Sequence, residues 1–245
     1  MKTAVITHIG NVRAINEDST LLSCEKRPFF LLVADGMGGH AAGEVASNTA
    51  CCLVQSYIES LETETLTEQQ LVDAVIHANK GIIQKTRDDH SLKGMGTTLT
   101  LAYAEDDRLM IAQVGDSRAY LFHGGVLEQV TNDHTYVQYL LDNGVLSEKS
   151  GEEYPFKNII TRALGMRELK VDTFTVEWAD EDILMLCSDG ITAYLSSGDI
   201  ASILSNGKPL KQKAQEMVDF ALAAGGKDNI SVVLAQNSLR EDGAI

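Results

Sequence analysis

The chain has 245 residues, of which 44% are hydrophobic and 22% charged, a composition that can bury one sizeable core as a single domain over 1–245. Its formal charge of −15 argues against nucleic acid and against anionic membrane surfaces as partners, since both bind through basic patches. The same charge repels phosphate unless cations intervene locally.

The N-terminus MKTAVITHIG lacks a basic-plus-apolar signal pattern, and no run approaches the ~18 apolar residues of a membrane span, so a cytoplasmic, monomeric protein is expected. Strand-like runs follow at Ala4–Ile9, Ser19–Cys24 and Phe29–Ala34. Helical periodicity then covers about 42–61, where Val45, Thr49, Leu53 and Tyr57 recur at i+4, and about 68–88, opened by a Thr67-x-x-Gln70 capping box. Strands resume at Thr97–Ala104, Leu109–Val114, Arg118–Phe122 and Val126–Val130. Residues 131–169 break the rhythm: Asn143-Gly144, Ser150-Gly151 and Tyr154-Pro155 punctuate one short helix, Tyr136–Asp142, and the segment reads as a flap. Strands at Thr173–Val176, Ile183–Cys187 and Ile230–Ala235 and helices at 198–205 and 209–224 complete the chain. Many short strands in local hairpins, with helices grouped between them, predict antiparallel sheets packed together with helices outside. Cys24, Cys51, Cys52 and Cys187 show no C-x-x-C spacing and read as buried thiols.

The loop Gly36-Met37-Gly38-Gly39-His40-Ala41 satisfies the G-x-G-x-x-A of a dinucleotide site. Asp35 stands at its mouth, however, with the wrong charge for a pyrophosphate. The acidic residue that should close a second strand some 20 positions on falls instead in a helical pattern. Asp35 therefore needs another explanation, and it has company. The apolar strand Ile183–Cys187 runs into Ser188-Asp189-Gly190, Ile111–Gly115 ends at Asp116, and Asn16-Glu17-Asp18 and Lys227-Asp228-Asn229 precede strands. A single Asp-Gly is usually a hairpin turn, but a type I′ hairpin needs a strand directly after it, and neither Asp35-Gly36 nor Asp189-Gly190 is followed by one. Converging carboxylates require cations. With only oxygen donors on offer, the suited ions are Mg²⁺ or Mn²⁺, in a binuclear site that Gly36 helps to form by letting the backbone approach closely.

Seven motifs, in order and spanning nearly the whole chain, carry a resemblance: Arg13-Ala-Ile-Asn-Glu17-Asp18, Val33-Ala-Asp35-Gly36-Met37-Gly38-Gly39, Gly94-Met-Gly96-Thr97-Thr98, Val114-Gly115-Asp116-Ser117-Arg118, Thr161-Arg162-Ala163-Leu164-Gly165, Ser188-Asp189-Gly190 and Gly226-Lys-Asp228-Asn229. The sequence resembles the metal-dependent serine/threonine protein phosphatases of type 2C in their compact bacterial form. The resemblance implies an α+β fold, an α-β-β-α sandwich of two antiparallel sheets flanked by helices. It implies that Asp35 bridges two Mn²⁺ or Mg²⁺ ions, that Gly36 lends its carbonyl, and that Asp189 and Asp228 hold one ion from the far side. Glu17 and Asp18 would act through metal-bound waters, and Asp116, with Asp189, would bind a third, weaker ion. Arg13 matches the phosphate-binding arginine. A hydroxide held between the two ions would attack phosphorus in line. The chain departs from the eukaryotic members at Met37, where they carry a histidine proposed as the acid. Proton delivery then falls to a metal-bound water or to His40. Arg162 in the flap is a candidate for binding substrate or for a structural salt bridge, and His134 reads as structural or substrate-facing.

The function expected is hydrolysis of phosphoserine and phosphothreonine in proteins, opposing a bacterial serine/threonine kinase. A catalytically silent, phosphoprotein-binding regulator of the same fold is the alternative, and a missing metal aspartate would favour it. None is missing.

Overall fold

The computed structural model describes residues 1–38, 42–147, 150, 154, 156 and 159–238. Eleven strands are present among them: β1 Lys2–His8, β2 Asp18–Ser23, β3 Phe29–Met37, β4 Gly96–Thr97, β5 Leu99–Ala104, β6 Arg108–Val114, β7 Arg118–His123, β8 Val126–Gln129, β9 Asp172–Glu177, β10 Ile183–Cys187 and β11 Ile230–Gln236. The helices are α1 Ala42–Ser60, α2 Glu68–Asp88, α3 Tyr136–Asp142, α4 Asp189–Thr192, α5 Ser197–Ser205 and α6 Leu210–Ala223. One sheet has the order β1-β11-β10-β7-β8 and the other β2-β3-β5-β6-β9, with β4 beside β3. All pairings are antiparallel. This is the expected α-β-β-α sandwich.

Three apolar layers hold it together, and the continuous hydrophobic runs of the central strands follow from them. A strand covered on both faces has no solvent side on which to place polar residues. Along β3, Phe30, Leu32 and Ala34 turn to the layer under α1 and α2, while Leu31 and Val33 enter the layer between the sheets. In β10, Met185 and Cys187 face α5 and α6, and Leu184 and Leu186 face the other sheet. Val232 and Leu234 of β11 alternate with Val233 and Ala235 in the same way.

The sequence-predicted elements recur with three differences. The run Thr97–Ala104 is divided at Thr98, which is drawn off to clamp the backbone of Asp35. A 3₁₀ turn at His90–Leu92 and the short α4 were not expected. On α1 the fully buried stripe is Ala46, Ala50, Val54 and Ile58, one position round from the predicted one; small alanines let the helix approach β3, and Val45, Leu53 and Tyr57 flank it. The capping box of α2 forms as read, with Gln70 N–H donating to Thr67 Oγ1 (3.3 Å) and Thr67 N–H to Gln70 Oε1 (2.8 Å). Cys51 and Cys187 are buried, but Cys52, next along α1, is exposed, which corrects the expectation of buried thiols.

Because the layer between the sheets is closely packed, Leu186→Ala should leave a cavity that neither sheet can collapse into and cost about 3 kcal/mol. The check is urea unfolding: a lower midpoint with an unchanged slope.

Candidate metal centre

Antiparallel order brings the C-terminal ends of β3, β6 and β10 to the same edge of the sandwich as the N-terminal ends of β2, β7 and β11. Register then places the acids: Asp18 pairs with Asp35 across β2 and β3, and Cys187, two residues before Asp189, lies opposite both Arg118 and Val232. Asp116 precedes β7 and Asp228 precedes β11. Six of the predicted site residues (Asp18, Asp35, Gly36, Asp116, Asp189 and Asp228) therefore lie at one edge, with Arg13 and Glu17 in the loop leading to it.

The electrostatics record the crowding. Asp35 is held far above the usual carboxylate range, first by burial and then by repulsion from Asp18, Asp189, Asp116 and Asp228. Burial, with neighbouring acids, pushes Asp18 and Asp116 up to about 7 and Asp189 to about 6. Glu17 is raised by burial against the opposing pull of Arg13. Asp18 accepts from Ser188 Oγ (2.8 Å) through Oδ2, while its buried Oδ1 has no partner. A buried anionic oxygen without a donor, inside a ring of other carboxylates, is the chemistry of a cation ligand or its neighbour. Among the described residues no three His, Cys, Asp or Glu side chains close into a cage by themselves. The donor set fits hard divalent ions, which also take carbonyl and water ligands.

Backbone geometry holds this edge in place. A Cβ on Gly36 would stand 2.1 Å from the Gly43 carbonyl oxygen and 2.5 Å from that of Glu17, so only glycine fits where β3 passes under the start of α1. The Asp35 peptide is clamped on both sides: its N–H donates to Thr98 Oγ1 (2.9 Å), and its carbonyl accepts from Thr98 N–H (2.9 Å) and Thr97 Oγ1 (2.9 Å). Asn229, buried at 3% exposure, accepts from Glu17 N–H (2.8 Å) and donates to the carbonyls of Ile9 (2.9 Å) and Ile15 (3.0 Å). It fastens the loop carrying Arg13 and Glu17 to β11. Sequence reasoning assigned no role to Asn229, Ser188 or Thr98; their signal was a place within the motifs that carry the resemblance, beside a candidate aspartate or on its partner strand.

Arg13 is half-exposed at the rim, with Nη2 donating to Asp228 Oδ2 (2.8 Å) and Nη1 at 3.9 Å from Glu17. Arg162 donates to Asp172 Oδ1 (2.9 Å), so its guanidinium is engaged in a salt bridge. His134 is buried: Nδ1 accepts from Gly115 N–H (3.1 Å), which leaves the proton on Nε2 for Asp172 Oδ2 (3.1 Å). Burial and the adjacent Arg162 lower its pKa, keeping the ring neutral. His134 thus joins the base of the flap to the loop that carries Asp116. Arg118, two residues after Asp116, forks onto Asp133 (Nε to Oδ1 2.9 Å, Nη2 to Oδ2 2.6 Å). His40 lies outside the described residues.

Comparisons with known proteins agree with this geometry. The family profile described as protein phosphatase 2C matches residues 8–235. The serine/threonine phosphatase Stp of Listeria innocua is 38% identical over 243 residues, covering 97% of this chain and 96% of that protein. The crystal structure of the Mycobacterium tuberculosis serine/threonine phosphatase PstP/Ppp superimposes with a TM-score of 0.90 at 35% identity, covering 97% and 98% of the two chains. A structure of the PstP catalytic domain in complex with two manganese ions gives 0.86 at 35% identity, covering 96% and 97%. The protein is thus a metal-dependent phosphoric monoester hydrolase. It belongs to the protein phosphatase 2C family.

Asn229→Ala should strand one buried N–H and two carbonyls and cost about 3 kcal/mol, measured by urea unfolding. Asp18 and Asp116 bind protons more tightly folded than unfolded, so the metal-free chain should lose stability as pH rises from the ordinary Asp value of 3.8 toward about 7. Thermal unfolding in chelator should show the melting temperature falling across that window. Asp35→Asn should raise the metal-free melting temperature near neutral pH by about 3–6 °C.

Proposed function

We propose that this chain removes phosphate from phosphoserine and phosphothreonine in proteins, at a binuclear Mn²⁺ or Mg²⁺ centre built on Asp35. The observation that carries the reading is the position of Asp35: four other aspartates repel it, and next to it a glycine has no room for a side chain. Asp35 would hold both ions, with the Gly36 carbonyl as a further ligand and Asp189 and Asp228 holding one ion from the opposite sheet. Glu17 and Asp18 would orient waters around the pair. Asp116 and Asp189 would hold a third, weaker ion.

Divalent ions, when bound there, neutralise the phosphate and lower the pKa of a water so that it becomes the nucleophile. The chain's own groups do the rest. Arg13 stands on the rim beside Asp228, and its planar fork suits two phosphate oxygens once Asp228 turns to a metal. Met37 carries no proton to give, so protonation of the leaving oxygen belongs to a water or to His40. The flap, anchored at His134 and returning at Arg162, supplies substrate selectivity, with Arg162 exchanging Asp172 for a substrate group. Such an enzyme consumes phosphomonoesters that a serine/threonine kinase must first make, which places it opposite a kinase. Every aspartate in the proposed ligand set is present, which disfavours a silent phosphoprotein-binding role.

The test is phosphate release from a phosphothreonine peptide, titrated with Mn²⁺ and Mg²⁺. Wild type should turn over only with a divalent ion, and Asp35→Asn should be slower by at least about 100-fold, since disturbing even outer-shell partners of a metal costs 10- to 100-fold. A folded wild type that is inactive with either ion on several phosphopeptides would favour the binding role.

A further inference from the structure

A cleft of about 690 Å³ opens at the edge of the sandwich opposite the aspartates. It is lined by Lys2 at the start of β1, by Gln236 at the end of β11, and by the turn between α5 and α6 with Lys208, Lys211 and Lys213. β1 and β11 run the full depth of the sheet, so the cleft lies roughly 20 Å from the Asp228 end, at about 3.3 Å per residue. In a chain of net charge −15 this is a local inversion of sign: among the described residues four lysines line it against one acid, Glu181, with Glu216 beside Lys208.

The cations are unequally engaged. Lys208 pairs with Glu216, and Gln236 Nε2 donates to Glu181 Oε2 (3.0 Å). Lys213 is buried at 7% exposure; its ammonium donates to the Leu204 carbonyl, and burial lowers its pKa against the opposing pull of the nearby Glu216. An ammonium held in such a place gains from the approach of an anion. Among the described residues, Lys2 and Lys211 have no acidic partner. The first turn of the 14-residue α6 faces the same space, with Pro209 as an N-cap that offers no side-chain acceptor. Among the described residues no acceptor meets the amides of Leu210 and Lys211, and that helix end favours negative charge.

We propose that this cleft is a second anion site that binds phosphoryl groups. Its volume suits a ligand of nucleotide size or one phosphorylated side chain with its neighbours. Several mobile ammonium groups around free helix amides match a compact, multiply charged oxyanion better than a single carboxylate. The phosphate belongs either to a small phosphorylated molecule or to a second phosphorylated residue of a protein substrate. Both use the same chemistry.

The experiment follows backbone amides by NMR in the Mg²⁺-loaded full chain, titrated with inorganic pyrophosphate and separately with a peptide carrying two non-hydrolysable phosphonate analogues of phosphoserine, which the enzyme cannot consume. The Leu210 and Lys211 amides should shift and saturate. Replacing two exposed lysines, Lys2→Glu with Lys211→Glu, should weaken that binding at least about tenfold, the equivalent of 1.4 kcal/mol. Turnover of p-nitrophenyl phosphate by the double variant should stay unchanged, because neither lysine is near the aspartates. Tighter saturation by pyrophosphate assigns the site to a small ligand; tighter saturation by the peptide assigns it to the substrate. The proposal is overturned if neither probe gives saturating shifts at these amides, or if the shifts persist undiminished in the double variant.

Discussion

Repulsion among aspartates held at one edge of a β-sandwich is the constraint on which the rest of this structure depends. Burial and mutual proximity push four of them far above their ordinary range, and one buried Asp18 oxygen has no donor at all. No fold gains stability from such an arrangement without cations. The two sheets, packed through Leu31, Val33, Leu184, Leu186 and Val233, withstand it. Their strands are apolar along their length, and the acids stand at the ends, where stability elsewhere offsets the local strain in charge.

Much of this was legible in the sequence because buried central strands write themselves as unbroken apolar runs. Phe29–Ala34 and Ile183–Cys187 are such runs, and a carboxylate immediately beyond each is conspicuous. Order along the chain plus antiparallel pairing then predicts which ends meet. Less visible were residues whose work depends on partners far away in sequence. Asn229 is one letter in a Lys-Asp-Asn turn, and nothing local tells that its amide fastens Ile9, Ile15 and Glu17. The break of a strand at Thr98 was hidden for the same reason: the threonine fits a strand well, and only the Asp35 peptide opposite it explains the interruption. Helical spacing located α1 but placed its buried stripe one residue off, because small alanines carry little weight in a hydrophobic pattern while contributing the closest packing.

Charge is distributed along the sandwich with the same economy. The acidic edge repels phosphate unless cations intervene there. The cleft at the other edge is lined by lysines. His134 and Arg162, meeting at Asp172, tie the flap to the loop bearing Asp116, so the two segments share one anchor.

If the aspartates converge in order to hold a pair of divalent ions, calorimetric titration of the metal-stripped chain with Mn²⁺ will give two tightly bound ions per chain, and Asp35→Asn will lose both, since its carboxylate would be shared between them. A single ion, none, or two ions bound equally well without the Asp35 carboxylate would mean that the aspartates serve some other end.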